Sequence, residues 1–404
     1  MDADVIIAGG GFVGLTLALA LADQGLKVSV ADPVTPEAAA EAAFDGRVSA
    51  LSYAVLRMFR TLGVWQNLEP DAQPIEQILV TDAALDRAPS PFSLHFDGGE
   101  IGGPLGVIAE NRAIRRALYE AVARQSGITL IAPAAATACQ VDGGAAKVRL
   151  STGAELSAAL VVAADGRDSK LRDEAGIGIV GWSYGQNGIV ATVHHARPHN
   201  GTAYEHFLPS GPFAILPLTG NRSSLVWTEK TADAARLVAL DPDAFLSEIA
   251  RRFGDHLGEV RHEGPRWSYP LRFHVARDYV RPRFALAGDA AHGIHPIAGQ
   301  GLNLGLRDAA ALADVIVDAA RVGRDIGSLD VLKAYERWRR FDGFTTGVTM
   351  DAFNRLFSND LAPLRHARDL GLGIVDKIGP LRRFFMREAG GDTGKLPRLM
   401  QAEA

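Results

Sequence analysis

The stretch Val5-Ile6-Ile7-Ala8-Gly9-Gly10-Gly11-Phe12-Val13-Gly14, continued to Lys27-Val28-Ser29-Val30-Ala31-Asp32, decides the fold. Its first four residues are aliphatic and bounded by glycine, which reads as a fully buried strand. Phe12 to Gln24 reads as a buried helix ending near Gly25, and Lys27 to Ala31 as a second short strand, so the chain opens with a β-α-β unit. Gly9, Gly11 and Gly14 form a G-x-G-x-x-G pattern in the turn between strand and helix. The pattern needs glycine for the tight turn, for close approach of backbone to a pyrophosphate, and for packing of helix on strand. The pyrophosphate would sit on the helix start at Phe12 and Val13, where free N–H groups and the helix dipole favour an anion. Asp32 ends the second strand 18 residues beyond Gly14, where an acid can bond the hydroxyls of an adenosine ribose. The complete unit indicates dinucleotide binding. NAD and FAD share it, so the choice rests on the rest of the chain.

Val5 to Ala22 is also an uncharged run of 18 residues, long enough to imitate a membrane span or a signal peptide. Three consecutive glycines, Gly9 to Gly11, interrupt it, and Asp2 and Asp4 precede it where a signal peptide carries positive charge. A strand, a turn and a helix account for it better. At roughly 150 residues per domain the length suggests two or three domains, and a hydrophobic share of 47% excludes a mainly disordered chain. Lysine and arginine number 42 against 47 acidic residues, a net charge of −5 with no long basic run, which excludes nucleic acid as a favoured partner. The one cysteine, Cys139, leaves no internal disulfide and no cysteine-rich metal site, and fits a reducing compartment.

Farther along, residues 50–62 and 111–125 carry apolar side chains at helical spacing. Ala138 to Val141, Lys147 to Leu150 and Leu156 to Ala163 read as a meander divided by glycine turns. A second strand-rich stretch covers about 188–229, with a hairpin about Thr219-Gly220-Asn221. Asp241-Pro242 opens a helix running to Phe253, and Phe284 to Ala287 is another buried strand. Helices are expected at 302–320, 329–358 and 363–386. These elements predict an α/β fold: a nucleotide-binding, Rossmann-like domain, which the later motifs assign to FAD, interrupted by a mainly β domain, with a helical C-terminal tail. The expected division gives 1–75, 100–180 and 276–345 to the nucleotide domain, 76–99 and 181–275 to the β-rich substrate domain, and 346–404 to the tail.

Two later stretches point to a flavin. Val161 to Ser169 runs from a buried strand into Asp165-Gly166-Arg167-Asp168, and Ala287-Gly288-Asp289 leads through Pro296-x-x-Gly299-Gln300-Gly301-Leu302-Asn303 into a helix. Asp289 can bond a polyhydroxyl ribityl chain, and the Gly299 to Leu302 backbone can donate N–H groups to a flavin ring. An ordinary loop explains one glycine or one acid, but not so much glycine, proline and acid in one turn.

These three motifs, in this order, resemble the flavoprotein aromatic hydroxylases typified by p-hydroxybenzoate hydroxylase, over about residues 1–345. Asp45 to Leu51, Glu110-Asn111-Arg112 and Asn354 to Ser358 resemble more narrowly the ubiquinone-biosynthesis hydroxylases. The resemblance implies non-covalent FAD, with Arg47 and Arg112 along the flavin and its ribityl chain. It further implies that Asp165 serves both FAD and nicotinamide binding, Asp289 the ribityl, and Pro296 with Gly299 to Gly301 the ring. A nicotinamide cofactor, NADH or NADPH, would reduce FAD transiently, and dioxygen would supply the oxygen atom placed on a prenylated phenol or quinone precursor. Arg47 and Pro296 then form the catalytic environment, with no side-chain acid or base assigned. A reductase, a halogenase, or a flavin- or lipid-binding subunit without turnover are the alternatives on this scaffold.

Other residues have plainer readings. Arg47 follows a turn and Arg112 begins a helix, where a solvated arginine is common. His292 with His295, and His194 with His195, lack the further ligands a metal needs, so no metal is expected. Tyr204, His206, Phe207 and Trp227 are candidates for the substrate side or for core, and Asp314 with Asp318 for a solvated helix face. Residues 363–386 combine Leu372, Ile378 and Phe384 with Arg365, Arg368, Lys377, Arg382 and Arg383. That pattern suits a surface resting on anionic lipid or on other ubiquinone-biosynthesis proteins, and equally a helix packed on its own core. The expected location is cytoplasmic, with the inner face of the membrane as the site of any peripheral contact.

Overall fold

The structure is a computed structural model that describes residues 1–40, 45–83, 85, 93–357 and 375–401. In chain order it begins with β1 (Ala3–Ala8), α1 (Phe12–Ala22), β2 (Val28–Ala31), β3 (Val48–Ser52) and α2 (Tyr53–Thr61). Next come β4 (Gln77–Asp82), β5 (Ser93–Asp97), β6 (Gly106–Glu110), α3 (Asn111–Ala123) and β7 (Ile128–Ile131). The meander follows as β8 (Ala136–Asp142), β9 (Ala145–Leu150) and β10 (Glu155–Ala163). Four long strands come after it: β11 (Ile179–His195), β12 (Thr202–Leu208), β13 (Gly211–Leu218) and β14 (Arg222–Lys230). The remainder comprises α4 (Thr231–Val238), α5 (Pro242–Phe253), β15 (Val260–Ala276), β16 (Phe284–Leu286), α6 (Gln300–Arg321), α7 (Leu329–Phe357) and α8 (Gly379–Ala389).

The first sheet is built on β1, which pairs in parallel with β2 on one side and with β10 on the other. Parallel β7 extends it beyond β2, and parallel β16 beyond β10. Both faces are covered, so Val5, Ile6, Ile7, Val28, Val30 and Leu160 to Val162 are buried as unbroken apolar runs. α1 is apolar all round because it lies between this sheet and α6, with Leu15, Leu17 and Leu21 fully buried. The apparent membrane span is thus β1, a turn and α1, and no helix among the described residues is long and apolar enough to cross a membrane.

The second sheet is mostly antiparallel, in the order β15, β11, β14, β13, β12, β4, β5, with only β12 and β4 parallel. One face carries Ile189, Val193, Ile215, Leu225 and Trp227 and packs under α4 and α5. The opposite face, with Leu94, Phe96, Ala203, Phe207 and Leu218, looks into the molecule. Sequence and structure differ at three places. Residues 50–52, expected in a helix, belong to β3, where Ala50 and Leu51 pair with Ile108 and Val107; the helix starts at Tyr53, capped by the Ser52 hydroxyl. The strand-rich stretch begins earlier, at Ile179, on the long β11. Asp314 and Asp318 are not merely solvated: both pair with Arg398 and pin the C-terminal segment to α6. Of the helix expected over 363–386, residues 363–374 lie outside the described residues.

Candidate active site

The glycine turn is shaped by contacts that only glycine permits. A side chain on Gly14 would collide with the Gly9 carbonyl, and Gly9 sits at φ +105° against the Ala164 carbonyl. Gly11 is the N-cap of α1 and has no capping side chain, so the first N–H groups of α1 are left for a ligand, and Gly11, Phe12 and Val13 line a cavity. Asp32 ends β2 with its oxygens accepting the N–H groups of Gly10, at 2.5 Å, and Val34, at 2.7 Å. Its remaining lone pairs are available to ribose hydroxyls.

Across the sheet, β10 delivers Asp165. One oxygen accepts the Leu171 N–H at 3.4 Å, while Oδ1 is buried without a partner. An orphaned buried acceptor calls for a donor from outside the chain. After β16 the backbone turns at Gly288 (φ +62°) against Val13 of α1 and exposes Asp289 on the cavity wall. Pro296 and residues 299–303 continue that wall, with Gly299 in the left-handed region (φ +64°) directly before α6. Asn303 ties the fold together here, accepting from Ser52 N–H at 2.9 Å and donating to the Ala50 and Gly299 carbonyls at 2.8 and 3.1 Å. Gln300 donates to the Ala389 carbonyl of α8 at 3.1 Å.

Arg47 and Arg112 are placed outside the cavity lining. Arg47 pairs with Asp45 at 2.5 Å and lies over the Tyr269 ring, and Arg112 donates to Glu110 at 2.6 Å. The four aromatic candidates separate by face. Phe207 lines the cavity, and Tyr204 borders it while its ring packs on His256. His206 bonds Thr81, and Trp227 is core beneath α5, donating to Glu229.

Sequence reasoning missed a buried network behind Asp289. His292 Nε2 lies 2.5 Å from Asp308, Arg339 donates to Asp308 at 2.7 Å and to Asp342 at 2.7 Å, and the Gly288 N–H reaches Asp308 at 3.1 Å. Burial alone raises the Asp308 carboxyl, but His292 and Arg339 more than reverse this and hold it below the usual aspartate value. One charged aspartate thereby fixes the turn that presents Asp289. These partners lie 16 and 31 positions from Asp308, and no local pattern announces them. Among the described residues no group of three or more His, Cys, Asp or Glu side chains could hold a metal ion.

Gly11 to Val13, Asp289, Pro296 and residues 299–303 open on one cavity of about 1350 Å³ whose other wall is the second sheet. Its flavin-side wall offers a glycine-capped helix start and an exposed acid, and the orphaned Asp165 oxygen lies beside the Gly9 turn, a set that fits a flavin dinucleotide. The FAD binding domain family matches residues 2–342. The chain belongs to this family. Among its relatives is "Ubiquinone hydroxylase UbiL" of Rhodospirillum rubrum, 51% identical over 99% of this chain and 92% of that protein. The "3-demethoxyubiquinol 3-hydroxylase" of Escherichia coli is 36% identical over 96% of this chain and 98% of its own length. Within the family, then, the chain falls among the ubiquinone-biosynthesis hydroxylases. The p-nitrophenol 4-monooxygenase PnpA of Pseudomonas putida shares the fold, with a TM-score of 0.79 at 18% identity over 98% of this chain and 99% of that one.

Proposed function

We propose that this FAD-dependent monooxygenase hydroxylates a phenolic, polyprenylated ring of a ubiquinone precursor, using NADH or NADPH and dioxygen. The observation that carries the reading is the cavity itself. One wall is the flavin-binding turn, and the other is a sheet face of Ile78, Val80, Leu94, Phe96, Phe207 and Leu216, apolar enough to take a ring and the start of an isoprenoid chain. When bound, FAD takes electrons from the nicotinamide and activates dioxygen for transfer of one oxygen atom to the ring.

The chain's own residues bind, orient and keep the site dry. Gly9, Gly11 and Gly14 let the backbone approach the pyrophosphate at Phe12 and Val13, and Asp32 holds the ribose. Asp289 takes the ribityl hydroxyls, and Asp165, beside the Gly9 turn, serves FAD and nicotinamide binding. Gly288 fits the turn against α1, and the backbone from Pro296 through Gly299 to Leu302 faces the ring, stitched to β3 by Asn303. Arg47 and Arg112, at the edge, close on the cofactor by leaving Asp45 and Glu110. The division of the chain follows the two sheets, with breaks near 76, 100, 181 and 276. Exposed Ile378 and Phe384 flank cavity-lining Phe385, an apolar approach suited to peripheral contact with a lipid surface.

Labelled dioxygen tests the reaction. The purified yellow protein should place one labelled oxygen atom in a prenylated phenol for each nicotinamide oxidised. Label arriving from water means a hydration or hydrolysis and ends the monooxygenase reading. A flavin that binds but never turns over assigns the chain to a non-catalytic subunit.

A further inference from the structure

Among the described residues, the sheet wall of the cavity carries one charged side chain. On β12, Ala203, Glu205 and Phe207 alternate toward the cavity. The residues paired with Glu205 are Ala214 on β13 and Val80 on β4, and next across the sheet stand Val226 on β14 and Leu94 on β5. No charged or titratable side chain faces Glu205 from these strands. Among the described residues its carboxyl makes no hydrogen bond and no ion pair. Tyr204, next to Glu205 on β12, borders the cavity with its ring packed on His256, and the other charged and titratable groups lining it, Arg167, Asp289, His292, Arg307, Asp342 and Glu388, come from the flavin-side elements or from the helices after them. An acid in the middle of an apolar face is destabilising for the fold unless a ligand uses it.

We propose that Glu205 is the catalytic base that binds the substrate's ring hydroxyl and takes its proton as oxygen enters the neighbouring ring position. This rests on the phenol hydroxylase reading above. The phenol O–H bond breaks, its proton passes to the Glu205 carboxylate, and the electron pair moves into the ring, raising electron density at the carbon attacked. One oxygen atom of dioxygen enters the C–H bond and the other leaves as water, with nicotinamide as the reductant. The displaced ring proton restores aromaticity, and Glu205 returns its proton to water when product leaves. Burial against the apolar face pushes the Glu205 carboxyl up to about 8, with no neighbouring charge contributing. A general base works best with its pKa near the working pH.

The test uses 2-prenylphenol as probe, with catechol product, nicotinamide oxidation and bound FAD measured across pH 6 to 9.5. Wild-type kcat/KM should rise with pH through a limb near 8. Glu205→Gln should keep FAD but lose the limb, with kcat/KM lowered about 100-fold. Glu205→Asp should retain a limb moved to lower pH, because aspartate is intrinsically the stronger acid. A Glu205→Gln enzyme that keeps both rate and limb overturns the assignment. If that variant fails to hold FAD, Glu205→Asp decides, and an unmoved limb overturns it. A wild-type enzyme that hydroxylates no phenol removes the functional reading first, and this inference with it.

Discussion

On the flavin side the cavity is made of backbone: glycine turns, helix starts, and carboxylates aimed by their own main chain. On the sheet side it is made of side chains, one strand after another presenting Leu, Val, Phe and Ala from alternate positions. The first wall must match the fixed shape of a cofactor, so its geometry tolerates little change. The second has to exclude water and admit a ring with an apolar tail, a requirement that volume and polarity define more than shape. Breaking the two walls should therefore look different.

The largest effect is expected behind the backbone wall. Arg339 and Asp308 are fully buried, and Arg339→Ala leaves the Asp308 carboxylate with His292 and the Gly288 N–H but no arginine. Removing one partner of a buried pair costs about 3–5 kcal/mol, and the Gly288-Asp289 turn should loosen with it. Thermal melting and FAD content should fall together. On the sheet wall Leu94→Met, which conserves volume, should cost less than about 1.5 kcal/mol. Equal losses would erase the distinction. Next is Gly14→Ala, whose Cβ has no room beside the Gly9 carbonyl. It should cost about 3 kcal/mol through overpacking, and a stable, fully yellow Gly14→Ala protein would show that the turn yields. Asp289→Ala comes third. Losing a charge-assisted bond to the ribityl should weaken FAD binding by about 1.5–3 kcal/mol with little change in melting of the flavin-free protein. Unchanged affinity on titration would take Asp289 out of the cofactor site.

The same contrast decides what could be read from the sequence. The glycine turn, the Asp241 cap that accepts the Ala244 N–H at 2.9 Å, and the β13–β14 hairpin are local, and each residue type is there for a reason visible within a few positions. Residues 50–52 misled because apolar spacing at Leu51 and Val55 suits a strand running into a helix as well as one helix. For the sheet, alternation reveals that a strand has two faces and not which one meets the ligand. Tyr204, Glu205, His206 and Phe207 look equivalent in sequence, yet only pairing with β4 and β13 puts Glu205 and Phe207 on the cavity face. The His292–Asp308–Arg339 network is longer in range still, because it depends on α6 and α7 packing together.

The smallest effect probes the exception on the sheet wall. Burial holds the Glu205 carboxyl up to about 8, against 4.5 for an ordinary glutamate. In this window the folded protein keeps a proton that the unfolded chain has released. The stability associated with that proton is therefore full below 4.5 and is lost as pH rises through about 8. Glu205→Gln removes the liability, since a neutral amide carries no desolvated charge. In the flavin-free protein its melting temperature should match wild type near pH 4.5 and exceed it at pH 8.5. Each tenfold change in a protonation equilibrium corresponds to about 1.4 kcal/mol. Water reaching the carboxyl from the cavity cuts the total to about 1–2 kcal/mol, which is a few degrees. A difference that does not grow with pH would mean that the carboxyl is already solvated or paired. The sheet wall would then be less dry than its lining implies, and the contrast between the two walls would weaken.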